Sequence, residues 1–391
     1  MKNIILWVFS YLNYIYPKSQ NKVLFISSPD LTDNSFALFK YMIETSKKKK
    51  KYIWLLNNIE EKELCISMMH VNISNEELNS IQFLDKKSFA GMWAFIGAKY
   101  IFFTHGFYTG MSLPKQQIRV NLWHGMPLKA IGYLNKYGNN AIIPKSSVVI
   151  ATSEFYQDIM GKVFSMTHDK VWITGQPRCD LLWEPRDALE KLGIEKKNYR
   201  KVIFWTPTYR YAKDHPIQDG IFTETLPILK ENDIEVLNHY LNSIDTYMLV
   251  KLHPMDMLNL YDFEQFSNIR IIKDNLLLEK GIQLYSLLSE IDILVTDFSS
   301  IYIDFLLLNK PIVFAIDDFD AYKKSRDFVF GSPQDYMPGS LVNTTEAFIG
   351  ILNDIIIEDK DSHSEKREKM RKEFHTYENS FSKRLIERLK L

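Results

Sequence analysis

Cysteine is nearly missing: Cys65 and Cys179 are the two thiols in 391 residues. So little cysteine builds no disulfide scaffold and points to a reducing compartment. Neither has a second Cys or a His at metal-ligand spacing, so both read as small buried side chains. Net charge is missing as well. Forty-eight basic and 48 acidic residues cancel, which leaves no global field for nucleic acid. No segment reaches the roughly 20 apolar residues that span a bilayer. There is no Gly-x-Gly-x-x-Gly or Walker loop, and no Gly-x-Ser-x-Gly nucleophile turn. No His, Asp and Glu gather at ligand spacing, and Asp317-Asp318-Phe319-Asp320 reads as a loop and helix cap, so no metal site is assigned.

What is present is an ordinary globular composition, 46% hydrophobic and 25% charged, in a chain long enough for two domains. Short apolar runs alternate with helical patterns. Strands are expected at Lys22–Ser28, Tyr52–Leu56, Tyr100–Thr104, Ile118–Trp123, Ser147–Ala151 and Val171–Thr174. After a polar stretch around Glu190–Arg200 the pattern restarts, with strands at Val202–Trp205, Tyr247–Leu252, Ile269–Ile272, Ile291–Val295 and Pro311–Ala315. Helices are expected from Asp33 or Asn34 to about Ser46, over Ser88–Ala98, from a Ser153 cap to about Phe164, and over Gly281–Leu288, Thr344–Ile357 and Glu365–Lys390. This alternation is the pattern of an α/β fold with parallel sheets. The divisions expected are an amphipathic segment 1–18, domains 19–195 and 196–360, and a charged helix over 361–391 crossing back.

The N-terminus is rich in aromatics: Trp7, Phe9, Tyr11, Tyr14 and Tyr16 lie among Ile4, Ile5, Leu6, Val8, Leu12 and Ile15, flanked by Lys2 and Lys18. It lacks a small-residue cleavage site. It reads as an interfacial membrane helix, with a helix packed on the domain as the alternative. Lys47–Lys51 is a run of lysines. It reads as a solvated end, or as a contact for anionic lipid heads.

The chain is organised around Ile291–Lys310. A strand over Ile291–Val295 runs into Asp297, Ser299 and Ser300, where a helix begins. Such a strand-to-helix turn is where open α/β sheets bind ligands, and a helix start with hydroxyls beside it suits phosphate. Helix capping by the same residues is the equal alternative. Other strand ends are also polar: His105, His124 with Gly125, Thr206–Arg210 including Thr208, and His253. A lone strand-end His is more often a packed core residue. Several in one two-domain chain converge if both sheets point their carboxyl ends at a shared cleft. The set suits transfer at phosphorus. Arg210, Arg326, His253 and the serine turn can meet diphosphate oxygens, and a histidine can take a hydroxyl proton. Gly125 next to His124 leaves room for close approach of a substrate.

The motifs, in order, are Asn121-Leu-Trp-His124-Gly-Met-Pro-Leu-Lys129, Thr152-Ser-Glu154, Gly175-Gln-Pro-Arg178-Cys-Asp180, Thr206-Pro-Thr-Tyr-Arg210, Lys251-Leu-His253-Pro254, Thr296-Asp-Phe-Ser-Ser300, Asp318-Phe-Asp-Ala-Tyr322 and Arg326-Asp-Phe-Val-Phe330. Together they resemble the CDP-glycerol:poly(glycerophosphate) glycerophosphotransferase family, which builds teichoic acid and capsule polymers. The segment from Tyr16 to Tyr41 resembles its shorter, primase-like members. The resemblance implies two Rossmann-like domains facing a cleft (GT-B type), with the nucleotide on the C-terminal domain. It implies His124 and His253 as the functional histidines, and Arg210, Thr208, Asp297, Ser299, Ser300 and Arg326 at the nucleotide and diphosphate end. His105 and Gly125 fall on the acceptor side. At Arg326-Asp-Phe the chain lacks the glycine that the family carries after this arginine.

The reaction implied is transfer of a polyol phosphate from CDP-glycerol, or another CDP-polyol such as CDP-ribitol, to a lipid-linked saccharide, with release of CMP. The expected location is the cytoplasmic face of the cell membrane, held peripherally. No cofactor is required, and magnesium is the one assisting ion allowed for. Two rivals stand beside it: a GT-B nucleotide-sugar transferase or epimerase, and a non-catalytic membrane scaffold.

Overall fold

In the computed structural model, the described residues are 2–45, 50–64, 66, 78, 80–108, 110–135, 143–184, 187–208, 226–230, 232–252, 265–320, 322 and 327–391. Their strands form two parallel sheets. The first contains β1 (Ser19–Ile26), β2 (Lys51–Leu56), β3 (Ile81–Asp85), β4 (Ala98–Phe103), β5 (Ile118–Asn121), β6 (Val148–Ala151) and β7 (Val171–Ile173), in the order β3-β2-β1-β4-β5-β6-β7. The second contains β8 (Lys201–Trp205), β9 (Thr246–Lys251), β10 (Ile269–Ile272), β11 (Ile293–Thr296), β12 (Ile312–Ala315) and β13 (Ser340–Val342), in the order β10-β9-β8-β11-β12-β13. Each order reverses direction once, beside β1 and beside β8, as in doubly wound sheets. The expected boundary at 195/196 falls in the link between β7 and β8, at a 3-10 turn over Lys196–Asn198.

The strands read as unbroken apolar runs because both faces are covered. On β1, Val23 and Phe25 pack with α2 (Asp33–Thr45) through Leu38 and Phe39. Leu24 and Ile26 face α3 (Phe89–Gly97) through Phe95 and Ile96. Ser88 starts α3, its Oγ accepting from the Gly91 N–H. Ser153 does the same for Tyr156 at the start of α4 (Glu154–Phe164), as the sequence indicates. In the second half, Phe348, Leu352 and Ile356 of α8 (Thr345–Ile356) and Leu237 and Leu241 of α5 (Asp233–Ser243) cover Ile203, Val250 and Val295. Two further helices matter below: α6 (Leu284–Glu290) and α7 (Ile301–Phe305).

The N-terminal segment is helix α1 (Lys2–Ile15). One face of it takes the packed reading given for it. Phe9 and Asn13 are buried, and the Phe9 ring lies 5.2 Å from Trp93 of α3. Ile4, Trp7, Tyr11, Tyr14 and Ile15 face outward, all at least 60% exposed. The charged C-terminal run is two helices, not one: α9 (Ser364–Phe374) and α10 (Phe381–Leu389). The chain breaks where His375 Nε2 donates to the Ile303 carbonyl at 2.7 Å and the Thr376 N–H bonds to the Thr152 carbonyl at 2.9 Å. Although sparse, the apolar residues there are buried: Met370 and Phe374, then Phe381 and Leu385. Asp180 of the first half accepts from the Phe381 and Ser382 N–H groups at the start of α10. Cys179 is buried, while Cys65 and Lys47–Lys49 lie outside the described residues.

Candidate active site

Neighbouring strands deliver neighbouring histidines. β4 and β5 pair with Phe103 opposite Asn121, so His105 and His124, just past their carboxyl ends, meet. Their rings stack with centroids 4.3 Å apart and planes 11° from parallel. Trp123 covers the other face of His124 at 4.0 Å and 30°. β5 stops at Asn121, two residues short of the expected Trp123, because Trp123 adopts a left-handed backbone at φ 51°.

The hydrogen bonds fix what His124 can do. Its Nδ1 lies 3.1 Å from the Thr104 carbonyl oxygen. A carbonyl only accepts, so Nδ1 carries the hydrogen and the neutral ring presents its lone pair at Nε2. Burial is the main force holding the His124 pKa below the ordinary histidine value, and Arg178 adds to it. The Thr104 bond and Asp33 oppose it, and the residue as a whole is half-buried. His105 is pushed down to about 3, first by burial, then by charge on His124, Lys86 and Arg178. Both rings are therefore neutral near pH 7. A neutral imidazole with a free Nε2 is what a general base requires.

Gly125 carries one contact between the two halves. Its φ is 134°. A Cβ there would stand 2.4 Å from Ser300 Oγ and 3.0 Å from Arg178 Nη2. Only glycine lets the turn after β5 meet the turn after β11 this closely. In that second turn Ser300 sits at the start of α7 without capping it, and Ser299 Oγ accepts from the Ile301 N–H at 3.4 Å. Asp297 is buried and turned the other way. Its carboxylate accepts from the Thr208 N–H and, at 2.9 Å, from the Thr208 hydroxyl. Asp297 thus positions the Thr206–Thr208 loop after β8. Phe298 stacks on Tyr322 at 4.1 Å. Behind it, residues 128–130 pair with 327–329 through Ala130 N–H to Asp327 O at 2.7 Å and Val329 N–H to Leu128 O at 3.0 Å.

The structure thus brings together His105, His124, Gly125, Ser299 and Ser300, and joins Thr208 to Asp297. Arg210, His253 and Arg326 lie outside the described residues. Among the described residues no three His, Cys, Asp or Glu side chains gather to hold a metal ion.

Beneath the site runs a buried polar network that the sequence reading passed over. Arg178 donates to Asp33 at 2.9 Å and to Asp304 of α7 at 2.7 and 3.1 Å. Asp304 also accepts from Gln176 at 2.8 Å and from the Tyr285 hydroxyl of α6 at 2.5 Å. The Asn34 amide donates to the Leu122 and Trp123 carbonyls at 3.2 and 3.0 Å, and its oxygen accepts from the Arg178 N–H. Asn34 is therefore no helix cap. It ties the chain beside His124 to the helix that follows Ser300. The sequence signal was the Gly175–Asp180 motif, which marks Arg178 without naming its partners.

The sequence model of the CDP-Glycerol:Poly(glycerophosphate) glycerophosphotransferase family matches residues 8–390. The chain is 26% identical over 372 residues to a teichoic acid poly(glycerol phosphate) polymerase of Bacillus spizizenii, covering 86% of this chain and 84% of that one. It is 30% identical over 254 residues to a teichoic acid glycerol-phosphate transferase of Staphylococcus aureus, covering 60% and 61%. It is 26% identical over 371 residues to a teichoic acid poly(ribitol-phosphate) polymerase of Bacillus spizizenii, covering 87% of this chain and 52% of that one. Of solved structures, the wall teichoic acid polymerase TagF superposes with a TM-score of 0.72 at 19% identity, over 98% of this chain and 93% of that one. A UDP-GlcNAc 2-epimerase of Neisseria meningitidis gives 0.53 at 16% identity, over 94% and 99%. These likenesses show the fold: an α/β chain of two Rossmann-like halves, GT-B in type.

Proposed function

The chain belongs to the CDP-Glycerol:Poly(glycerophosphate) glycerophosphotransferase family, and on that premise we propose that it moves glycerol phosphate from CDP-glycerol to a hydroxyl of a lipid-linked saccharide or growing polymer. His124 is the base. The acceptor O–H breaks and its proton goes to Nε2. The freed electron pair forms the new bond to the β-phosphorus, and the bond from that phosphorus to the bridging oxygen breaks, its electrons leaving on CMP. The product is a phosphodiester.

The observation that carries this reading is the His124–Gly125 turn. It holds a neutral base whose hydrogen is committed to the Thr104 carbonyl, against Ser300 of the opposing half. The Ser299–Ser300 turn is on hand for the diphosphate, beside the Thr208 loop that Asp297 holds. Arg210, His253 and Arg326 are assigned there by the family motifs. A nucleotide-sugar enzyme shares the fold but not the family. A bare scaffold needs no base oriented this way. The reading invokes no cofactor, and an added chelator in the assay answers whether magnesium assists.

The acceptor comes from a membrane. Among the described residues no helix is long and apolar enough to cross one. The reading of a peripheral, cytoplasmic-face enzyme is supported instead by the outer face of α1. There Ile4, Trp7, Tyr11, Tyr14 and Ile15, with Phe89 and Trp93 of α3 beside them, lie open to solvent. Exposed aromatic faces of this kind sit at bilayer interfaces.

The test is CMP release from CDP-glycerol, with and without a lipid-linked disaccharide, by wild type and His124→Ala. Loss of a general base costs about 10²- to 10⁴-fold, so the variant should bind CDP-glycerol and release almost no CMP. Near-normal CMP release by a folded His124→Ala protein refutes the assignment. UDP release from a UDP-sugar would move the chain to the other chemistry. CDP-ribitol run in parallel separates the two polyols.

A further inference from the structure

Histidine bases often have a carboxylate behind them that orients the ring and stabilises the imidazolium. Among the described residues His124 has none in hydrogen-bond contact. Its Nδ1 partner is the neutral Thr104 carbonyl, and the nearest carboxylate acting on it, Asp33, is committed to Arg178 at 2.9 Å. What His124 has is an aromatic face on each side, Trp123 at 4.0 Å and His105 at 4.3 Å.

The chain goes to some length to put Trp123 there. A bulky residue rarely takes a left-handed backbone, and where one does, the surroundings must enforce it. Here the Asn121 side chain accepts from the Trp123 N–H at 3.0 Å, and the Asn34 amide holds its carbonyl at 3.0 Å. The Phe164 ring meets the indole edge-on at 4.9 Å. Two asparagines and a phenylalanine thus fix a tryptophan in an unfavourable conformation whose visible result is its stack on His124.

Resting on the reading of His124 as the base, we infer that Trp123 is a positioning residue for that base. Its indole, with the His105 ring opposite, clamps the imidazole so that Nε2 faces the acceptor hydroxyl. The two π-faces then stabilise the imidazolium formed when the proton arrives. Trp is the strongest of the aromatic faces for a cation. The charged and titratable groups around the pair are Lys86, Arg178, Asp33 and the two imidazoles themselves. Of these, Asp33 and Arg178 pair with each other at 2.9 Å and the two imidazoles stack on each other, so a second proton on the imidazole pair is taken up with more difficulty than the first.

The test uses the full chain, with Trp123→Leu, Trp123→Phe and His105→Leu beside wild type. Leu keeps the site apolar but removes the π-face, and Phe restores a face. Two quantities are read. One is the kcat and KM for CDP-glycerol with the lipid-linked disaccharide. The other is the His124 titration midpoint by NMR of histidine-labelled protein, assigned with His124→Gln. A lost cation–π contact is worth about 2- to 30-fold. Trp123→Leu should lower kcat by that factor with KM within about twofold of wild type. It should also move the His124 midpoint down by about half to one and a half pH units, and Trp123→Phe should recover most of both. His105→Leu should move both the same way. Wild-type kcat and midpoint in Trp123→Leu would overturn the inference, as would a loss that Phe does not recover. If Trp123→Leu does not fold, Trp123→Phe and His105→Leu decide by the same criteria. No CMP from wild type would overturn the reaction while the NMR titration still tests the clamp.

Discussion

Replacing Arg178 with Met should be among the most damaging single changes in the chain. Asp304, which Arg178 neutralises, is fully buried. In Arg178→Met the carboxylate keeps its bonds from Gln176 and Tyr285 but loses both guanidinium contacts, at 2.7 and 3.1 Å. An uncompensated buried charge of this kind costs about 3–5 kcal/mol. Asp304→Asn is milder, about 1–3 kcal/mol, since Arg178 keeps Asp33 and the amide oxygen still accepts. The double variant Arg178→Met/Asp304→Asn removes the fully buried charge and leaves only the half-buried Asp33 without the guanidinium. It should fall short of the sum of the singles by about 2 kcal/mol or more. Urea unfolding followed by circular dichroism gives the four values, and CMP release on the same proteins gives the functional arm. The network also carries Asn34, which holds the carbonyls just before His124, so kcat should fall along with stability. Additive losses, or an Arg178→Met protein within 1 kcal/mol of wild type, would refute the claim that this pair joins the two halves.

Gly125→Ala puts a Cβ 2.4 Å from Ser300 Oγ on a backbone at φ 134°. About 1–3 kcal/mol of strain follows, with a fall in kcat that Ser300→Gly restores only in part; full recovery in the double variant would show that φ carries no cost. Acid should destabilise the fold early. Burial holds His105, His124 and His375 below the ordinary histidine value, so below about pH 6.5 the unfolded chain binds more protons and stability drops as pH falls. With His105 at about 3, its share at pH 5 is at most about 2 kcal/mol; a Tm unchanged from pH 7 to 5, or no flattening in His105→Phe, contradicts the assignment. Trp7→Asp with Tyr11→Asp should abolish cosedimentation with anionic phospholipid vesicles while circular dichroism stays the same; undiminished binding would remove α1 as the docking face.

Local pattern carried most of the architecture because a parallel strand buried on both faces is a plain apolar run. Ile269–Ile272 is β10 to the residue, and the ends of β2, β6, β8 and β9 shift by one. β3 was missed: Ile81–Asp85 is an edge strand paired with β2 alone, and all but Ile81 of it is only half-buried. The three-residue β13 is the other edge. Helix α5, with Asn238 and His239 between its buried Leu237 and Leu241, gives too thin an apolar stripe to be read. The C-terminal run was read as one helix because no proline or glycine interrupts it. Its break at His375 is imposed by the Ile303 and Thr152 carbonyls, and no local rule sees those.

The site divides along the same line. Strand-end histidines are legible because a parallel sheet sends its carboxyl ends to one side, so position along the chain gives position in space. Gly125 is legible only as a point of close approach: the expected neighbour is a substrate, whereas Ser300 and Arg178 of the protein itself stand there. The Arg178 network has no such shortcut. Asp33 and Asn34 look like helix caps, Gln176 and Arg178 look like loop residues, and Asp304 looks like the polar face of a helix. Each bland reading is locally correct chemistry. What overrides them is that all five are brought to one buried point by bonds between residues 126 to 145 apart in the chain, where leaving any polar group unpaired costs about 1–3 kcal/mol. Trp123 shows the same override from the other side. Its sequence neighbours extend a good strand, and pattern alone carries β5 through it. The Asn34 amide, reaching across from α2, and the Asn121 side chain make the left-handed turn the better satisfied one, and that turn is what sets an indole against His124.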